Sequence, residues 1–521
     1  MLNLRTQTWR GATMALLGAS VLALSAAFVA AQTKGGDLVV VQSSNPPSLD
    51  AMVTSSQASR NINMNVYEQL YGFSEKVEPI PVLAEGVTIS DDGLTYVFTL
   101  RKGVKFHNGK EMDSEDVRAS LARFKEIGAQ KAMLAGVTSI EATGPLEVTL
   151  KMEKPFPGFL EAFASPRVPA VIIPAEEAAK PANETQIIGT GPFKFVEYVP
   201  DSHVKLARFD EYVADTRSEG IDGAGGNKTA WLDTVTFRVI SEPGAAVAAL
   251  ETGEAHLIEQ IPVPTARRLQ SNADIKLYEN MPWAALSFIF NLRDGVSKNE
   301  KFRQAVQAGI DHEEIMGIAT EGLFNLYHGW MYEGSTYDAA EVGKDRYNTV
   351  DVEKAKALLK ESGYAGEPFS ILTDSQIPEH GKAAVVLAEQ MKAMGINAVI
   401  NQVDWPTALK IRLQDEGWNG WTLMMGIEPF LGPEALVSVL TGPSTHFREP
   451  DAELDALYAE LTTTADLEAR KAVFAKIQAR LSETAAVLKL GETGLMQASR
   501  ANIEGFKPYR FPRVYGLWMT Q

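Results

Sequence analysis

The chain has 521 residues, of which 45% are hydrophobic and 22% are charged, and this length is too great for a single hydrophobic core. It contains no cysteine, which excludes disulfide bonds, a thiol nucleophile and a lipid anchor on an N-terminal cysteine. The formal net charge of −17 argues against nucleic acid and anionic membrane as partners, because both favour clustered Lys and Arg.

The first predicted element is a secretory signal peptide over residues 1–31. Arg5 and Arg10 precede an uncharged apolar run that ends in the small-residue sequence VAA. This order is typical of a segment that is cleaved after export, here after Ala31. The alternative is an uncleaved membrane anchor, because the run is almost long enough to span a bilayer. An exported chain of this size without cysteine indicates a bacterial periplasm.

The rest of the chain alternates predicted strands, turns and helices. Strands dominate the first half, whereas in the third quarter amphipathic helices lead into strands, which indicates βα units on a sheet. The predicted strands include LTYVFTL, WLDTVTFRVI, PFSILT and INAVINQV. The predicted helices include one from Ser114 and the segments GAAVAALETGE, FRQAVQAGI, VEKAKALLKESGY, AAVVLAEQMKAMG and LEARKAVFAKIQARL. The glycine-rich IDGAGGNKT, residues 221–229, is the stretch most typical of a linker.

One short stretch, FHNGKEMDSEDV at residues 106–117, gathers a histidine, an amide, a lysine and four carboxylates. It could form a catalytic or metal-binding cluster, or it could be the passage from a strand to a helix. Asp113 stands where an N-cap is expected, with Asp116 three residues later, and HNG is typical of a turn. We therefore interpret the stretch as structural.

No other motif predicts catalysis. The stretch GVKFHNGKE lacks the spacing and the Ser or Thr of a P-loop, and GTGPFK lacks the third glycine of a dinucleotide site. The seven histidines are not paired at a metal-ligand spacing, and no GxSxG nucleophile motif is present. We expect no cofactor, no resident metal and no enzymatic activity; a periplasmic hydrolase is the less favoured alternative.

Several stretches together resemble the extracytoplasmic solute-binding proteins of peptide-, nickel- and opine-type ABC importers, solute-binding protein family 5. They occur in the order in which that family has them and span nearly the whole exported chain. The most specific is PVLAEGVTISDDGLTYVFTLRKGVKFHNGKEMDSEDV at 81–117; the others are SSNPPSLD, NVYEQLYG, IGTGPFKF, AALETGEAHL, NEKFRQAVQAGIDHEEI, AKALLKESGY and MKAMGINAVINQVDW.

The resemblance implies an α/β fold of the large type II periplasmic-binding-protein class, with two lobes around a cleft. Lobe I would comprise residues 32–77, 191–283 and 491–521, with an extra subdomain over 78–190. Lobe II would comprise 284–490. The two hinge crossings would be SFIFN at 287–291 and KLGET at 489–493.

The resemblance also implies which segments line the cleft, and here their residues are Ser44, Asn45, Met281, Pro282, Trp283, Trp405, Trp421, Met424, Met425, Gly426 and Glu428. Trp and Met supply large adaptable apolar contacts, while Asn and Glu fix orientation. The alternative is that Trp421 to Met425 form an ordinary buried strand. The family's peptide binders usually carry an amine-binding aspartate where this chain has GIEP. Glu428 is the candidate substitute, and opines or sugar conjugates remain open as ligands.

The function implied is capture of a small polar solute or short peptide by closure of the two lobes, followed by delivery to the membrane permease and ATPase subunits of an ABC importer. A micromolar to nanomolar dissociation constant corresponds to roughly 8–12 kcal/mol. A sensing or chaperone module on the same fold is the alternative that the sequence leaves open.

Overall fold

The computed structural model describes residues 32–425, 433, 434, 436, 437 and 451–520. In chain order the strands are β1 (Asp37–Gln42), β2 (Tyr71–Phe73), β3 (Pro79–Pro81), β4 (Ala84–Ile89), β5 (Thr95–Leu100), β6 (Val137–Gly144), β7 (Glu147–Met152), β8 (Phe193–Val199), β9 (His203–Arg208), β10 (Ile221–Asp222), β11 (Gly225–Gly226), β12 (Thr234–Val239), β13 (Leu257–Ile261), β14 (Ile275–Phe290), β15 (Phe324–Asn325), β16 (Phe369–Asp374), β17 (Ala398–Val403), β18 (Gly420–Met425), β19 (Val487–Arg500), β20 (Ile503–Glu504) and β21 (Trp518–Met519).

The helices, apart from short 3₁₀ turns, are α1 (Gln57–Val66), α2 (Ser114–Ile127), α3 (Phe159–Ala164), α4 (Ala175–Ala178), α5 (Pro243–Thr252), α6 (Val263–Leu269), α7 (Glu300–Gly309), α8 (His312–Ala319), α9 (Val352–Glu361), α10 (Pro378–Ala393), α11 (Trp405–Ile411), α12 (Ala452–Thr463) and α13 (Leu467–Thr484). The mixed α/β class predicted from the sequence is confirmed. In the described part of the chain, no helix is both long and apolar enough to cross a membrane.

One mixed sheet organises the described residues. Its strand order is β17-β16-β18-β14-β19-β13-β1-β12-β9-β8, with β15 added on β19. Strand β1 is parallel to β12 and β13, and β16 is parallel to β17 and β18, whereas the central strands β14 and β19 are antiparallel to each other. A separate antiparallel sheet, β4-β5-β7-β6, is formed by residues 84–152, and α2 packs against it.

The buried apolar side chains form four clusters. Two of them draw only on residues 285–490. The other two draw on the remaining segments, with Leu323 as the single residue contributed from 285–490. The boundary between the two groups of clusters therefore falls within β14 and β19, the long strands that contribute residues to both groups.

The predicted helix starts and stops follow local signals. Asp113 caps α2, accepting hydrogen bonds from the backbone amides of Glu115 and Asp116 at 2.9 and 3.1 Å, and Asp116 accepts one back from the amide of Asp113 at 3.2 Å. This reciprocal pair confirms the structural interpretation of residues 106–117. Helix α5 ends at Thr252 and is followed by Gly253 with φ of +83°, the left-handed terminating glycine that the sequence predicts.

The linker prediction for residues 221–229 is wrong. The stretch forms the small hairpin β10-β11, and a Cβ atom at Gly223 would lie 1.9 Å from the carbonyl oxygen of Phe73. Its Lys228 is 3% exposed and forms an ion pair of 2.9 Å with the buried Glu68 of the NVYEQLYG stretch. The glycines thus permit close packing of buried backbone, where composition alone suggested a flexible connection.

Candidate functional site

The sheet register brings the carboxyl ends of two sets of parallel strands towards each other. Strand β13 ends at Ile261, opposite Met496 of β19. Strand β18 ends at Met425, opposite Ala285 of β14, which itself lies opposite Glu492 of β19. The two carboxyl ends therefore face each other across the few β19 residues between them. Because ligands of open α/β sheets bind outside the carboxyl ends of strands, this is the candidate binding cleft.

The centre of the cleft carries a bulge in β14 that consists of Met281, Pro282 and Trp283. On either side of it Asn280 pairs with Leu495 and Ala284 pairs with Thr493, so these three residues stand opposite a single residue of β19. Bulges re-aim side chains and occur often beside functional sites. All three side chains are partly exposed. The predicted cleft residues of this segment thus project from the ladder at the level where the strand ends meet.

Arg510 of the C-terminal segment holds this bulge in place. Its Nη1 donates to the carbonyl oxygen of Trp283 at 2.8 Å and its Nη2 to that of Pro282 at 3.0 Å. The guanidinium lies 5.0 Å from the Trp283 ring centroid and 5.4 Å from that of Tyr332, whose hydroxyl also accepts from Nη2. Arg510 is 6% exposed, so the clamp is mostly buried. It fixes Trp283 by backbone bonds and cation–π contact together.

The opposite edge of the cleft is aromatic. Trp405 is the first residue of α11, just after β17, and Asp404 caps that helix. The Trp405 ring centroid lies 6.3 Å from that of Trp421 on β18 and 6.1 Å from that of His380 on α10. Trp405 is partly exposed, whereas Trp421 is 1% exposed and packs within a core cluster. Of this tryptophan pair, Trp405 is therefore the member that reaches the surface, and the buried Trp421 packs behind it.

His380 fixes the end of β18 that carries Met424 and Met425. The backbone amide of Met424 donates to His380 Nε2 at 2.6 Å, so the ring proton is on Nδ1 and is donated to the buried Asp374 carboxylate. Asp374 also accepts from the amides of Gln376 and Ile377, both at 2.9 Å. Burial lowers the pKa of His380, which keeps the ring neutral as this geometry requires. Met424 is partly exposed and Met425 is buried.

The first predicted segment lies at the carboxyl end of β1. Ser44 is exposed and lines a cavity of about 240 Å³ between β1, α1 and β13. Asn45 is instead engaged with the turn between β8 and β9, because its amide donates to the Asp201 carboxylate at 2.5 Å and accepts from the Asp201 backbone amide at 3.0 Å. Gly426 and Glu428 lie outside the described residues.

The structure thus brings Met281, Trp283 and Met425 to facing strand ends, with Trp405 just after the carboxyl end of β17 and Ser44 just after that of β1. Trp421 lies near the amino end of β18 and is buried behind Trp405. Sequence reasoning missed Arg510, His380 and Tyr332. An arginine in the tail segment KPYRFPR and a histidine at the start of a predicted helix were the available signals. Neither signal indicates its partner, because Arg510 and Trp283 are 227 positions apart in the chain.

His107, the histidine of the 106–117 stretch, has both ring nitrogens engaged in hydrogen bonds. Its Nδ1 accepts from the Gly189 amide at 3.2 Å and its Nε2 donates to the Gly191 carbonyl oxygen at 2.9 Å. Burial lowers the pKa of His107 to about 4. The stretch is thereby tied to the IGTGPFKF segment. Across the described ranges, no group of three or more His, Asp or Glu residues is arranged to hold a metal ion.

Comparison with known proteins assigns the chain to a family. The sequence model described as "Bacterial extracellular solute-binding proteins, family 5 Middle" matches residues 78–445, which is more than half of the chain.

Two curated relatives are 26% identical to the chain. They are a probable peptide ABC transporter periplasmic-binding protein of Sinorhizobium fredii, for which the match covers 90% of this chain and 91% of the relative, and a glutathione-binding protein of Salmonella paratyphi A, covering 92% and 93%. The crystal structure of the ABC transporter substrate-binding protein CtaP of Listeria monocytogenes superposes with a TM-score of 0.81 at 24% identity, over 94% of this chain and all of that one. This last likeness concerns the fold.

Proposed function

The chain belongs to the bacterial extracellular solute-binding proteins of family 5, and from that membership we propose that it is the receptor of an ABC importer. It captures a small polar solute or short peptide between two lobes and delivers it, chemically unchanged, to the permease and ATPase subunits in the membrane. The observation that carries the proposal is the pair of facing strand ends, joined through β14 and β19, with partly exposed aromatic side chains on both sides.

The two groups of core clusters support the lobe boundaries expected from the resemblance. Lobe I comprises residues 32–77, 191–283 and 491–521, with the extra subdomain at 78–190, and lobe II comprises 284–490. The crossings are then residues 287–291, which begin in β14 and end one residue beyond it, and residues 489–493 of β19. Ligand that contacts both lobes favours the closed form by the difference in its affinity for the two forms.

Residues 1–31 act as a cleaved signal peptide that directs the chain to the periplasm, as their basic, apolar and small-residue order suggests. The names of the two curated relatives refer to a peptide transporter and to glutathione. Together they favour a ligand of peptide size with amide and carboxylate groups, and an opine or related conjugate is the next class to test.

The experiment is a thermal-shift screen of the mature chain with short α-peptides, γ-glutamyl peptides, opines, sugars and nickel chelates. A ligand that binds only the native form at 100 times its Kd should stabilise the protein by about 2.7 kcal/mol, and the melting temperature rises accordingly. Mass spectrometry of the recovered solute should find it unaltered, and small-angle scattering should record a smaller radius of gyration with ligand. Conversion of the solute, or no shift with any class, would overturn the proposal.

A further inference from the structure

A polar cavity lies beside β1, at the edge of lobe I that faces the cleft. Its volume is about 240 Å³. Its walls come from the carboxyl ends of β1, β12 and β13 and from the N-termini of α1 and α5. Exposed residues Ser43, Ser44 and Gln57 form its rim, so the cavity communicates with solvent. It is large enough for one charged end group of a solute.

One wall of the cavity carries a carboxyl group. Glu259 of β13 lines it and accepts a hydrogen bond from the side-chain amide of Asn61 on α1. Burial raises the pKa of Glu259 to about 8, although the charge of Arg60, the residue before Asn61 on α1, acts in the opposite direction. Glu259 is partly buried, and a carboxyl group in such a position would gain its charge when a cation enters the cavity, because the cation offsets the loss of hydration.

Two amide side chains in the same walls are incompletely satisfied. Gln42 is 3% exposed and Asn61 is 1% exposed, and both line the cavity. The side-chain nitrogen of Gln42 donates to the Ser44 carbonyl oxygen at 3.1 Å, and that of Asn61 donates to Glu259. The side-chain oxygens of the two residues are therefore the groups that still need a hydrogen-bond donor. Neither oxygen has a donor among the residues that the structure describes. Buried acceptors of this kind normally have a donor, which points to a ligand rich in N–H groups.

The adjacent wall of the cavity favours a negatively charged group of the ligand, whereas the Glu259 wall favours a positively charged one. Helix α1 is ten residues long, and its N-cap residue Ser56 makes no side-chain hydrogen bond to the first turn. Ser56, Gln57 and Ala58 line the cavity. Uncapped amides and the positive end of the helix dipole favour an anion at this position. By contrast, α5 is capped by Glu242, which accepts from the amides of Gly244 and Ala245.

We propose that this cavity binds the α-amino-acid end of the transported solute, an ammonium and a carboxylate on one carbon atom, with the ammonium at Glu259 and the carboxylate at the N-terminus of α1. The two poles are within reach of one such group, because Asn61, the partner of Glu259, is one helical turn from Gln57. A cation alone would meet the unfavourable helix dipole, and an anion alone would leave Glu259 without the cation that restores its charge. This inference rests on the proposed solute-binding function and narrows its ligand class.

The test uses two isomers of the same composition. In γ-L-glutamyl-L-alanine the ammonium and a carboxylate share one carbon, whereas in α-L-glutamyl-L-alanine an amide replaces that carboxylate. Calorimetry with the mature chain should give a Kd at least tenfold lower for the γ isomer. Glu259→Gln, which matches the neutral form of the carboxyl group, should weaken binding of the γ isomer at least tenfold. The matched control Glu254→Gln changes a carboxylate with 63% side-chain exposure and should leave binding unchanged.

A second variant separates binding from folding. Ser56→Asp places a carboxylate at the N-cap of α1, where it should raise the melting temperature and yet weaken the γ isomer at least tenfold, because it occupies the anion position. Equal affinity for the two isomers, or γ-isomer binding unaffected by Glu259→Gln and Ser56→Asp, would overturn the inference. So would a screen whose binders all lack the α-amino-acid group, although the receptor function would then stand. A screen without any binder would overturn the receptor function itself.

Discussion

Replacing Lys489 with Met should destabilise the protein strongly, because it would leave a buried carboxylate without its cation. Lys489 and Glu492 lie in β19, at the second expected crossing, with side chains 2% and 1% exposed and an Nζ–Oε1 distance of 2.8 Å. Removing one partner of a buried ion pair typically costs about 3–5 kcal/mol. Burial lowers the pKa of Lys489 even though Glu492 opposes that shift, so desolvation outweighs the attraction between the two charges.

The double variant Lys489→Met/Glu492→Met should therefore be less destabilised than the sum of the single variants, by about 1–3 kcal/mol. It should not recover fully, because the Gly329 carbonyl oxygen and the Asn325 amide lose their partners. Urea unfolding followed by tryptophan fluorescence measures these differences. The matched control is Lys356→Met, which breaks an exposed Lys–Glu pair of the same spacing and should cost less than about 0.5 kcal/mol. Additive effects of the two core substitutions, or a Lys489→Met cost near that of the control, would refute the reasoning.

Three further substitutions and one titration test the site. Arg510→Lys keeps the charge but loses the two-pronged contact with the bulge, so unfolding in urea should require about 1–3 kcal/mol less and ligand affinity should fall; unchanged affinity would remove the bulge from the site. Because burial lowers the pKa of His380 below 6.5, wild-type melting temperature should fall as pH drops through 6.5 towards 5, and His380→Gln should flatten that dependence. An equal pH dependence of the melting temperature in the wild type and in His380→Gln would contradict a neutral His380 that accepts from the Met424 amide. Asp113→Ala removes the cap of α2 and should cost about 1 kcal/mol in urea unfolding, with no change in ligand affinity. Since burial raises the pKa of Glu259 to about 8, calorimetry in buffers of different ionisation enthalpy should detect proton release on binding of an amine, and affinity should decrease up to tenfold per pH unit below 8; pH-independent binding between 6 and 8 would contradict this.

The elements that sequence patterns predicted are those whose signals are local. The cap at Asp113, the terminal glycine at Gly253 and the apolar periodicity of α7, α9, α10 and α13 each depend on residues within a few positions of one another. The glycine-rich stretch 221–229 misled the same reasoning. Glycine is required both where the chain is flexible and where buried backbones approach closely, and only the second applies at Gly223.

The candidate site could be predicted in part. The resemblance identified Met281, Trp283 and Trp405, which the fold places at facing strand ends, but it could not identify the side chains that hold them. Arg510 reaches the bulge across 227 positions and His380 reaches Met424 across 44. Such contacts follow from strand order and register, which one sequence without its fold does not contain.

The two central strands have a consequence for how the protein moves. They pair from Ile275 opposite Arg500 to Ile289 opposite Val487, interrupted by the bulge at Met281–Trp283. In the proposed two-lobe arrangement, both connections between the lobes therefore belong to one hydrogen-bonded ribbon. Such a two-stranded ribbon bends out of its plane more easily than its strands slide past each other, because sliding would break the hydrogen bonds between them. We therefore expect the cleft to open by one bending motion of this ribbon. Spin labels placed at several pairs of sites across the cleft should change their separations in concert, and amides at the middle of the ribbon should resist hydrogen exchange with and without ligand.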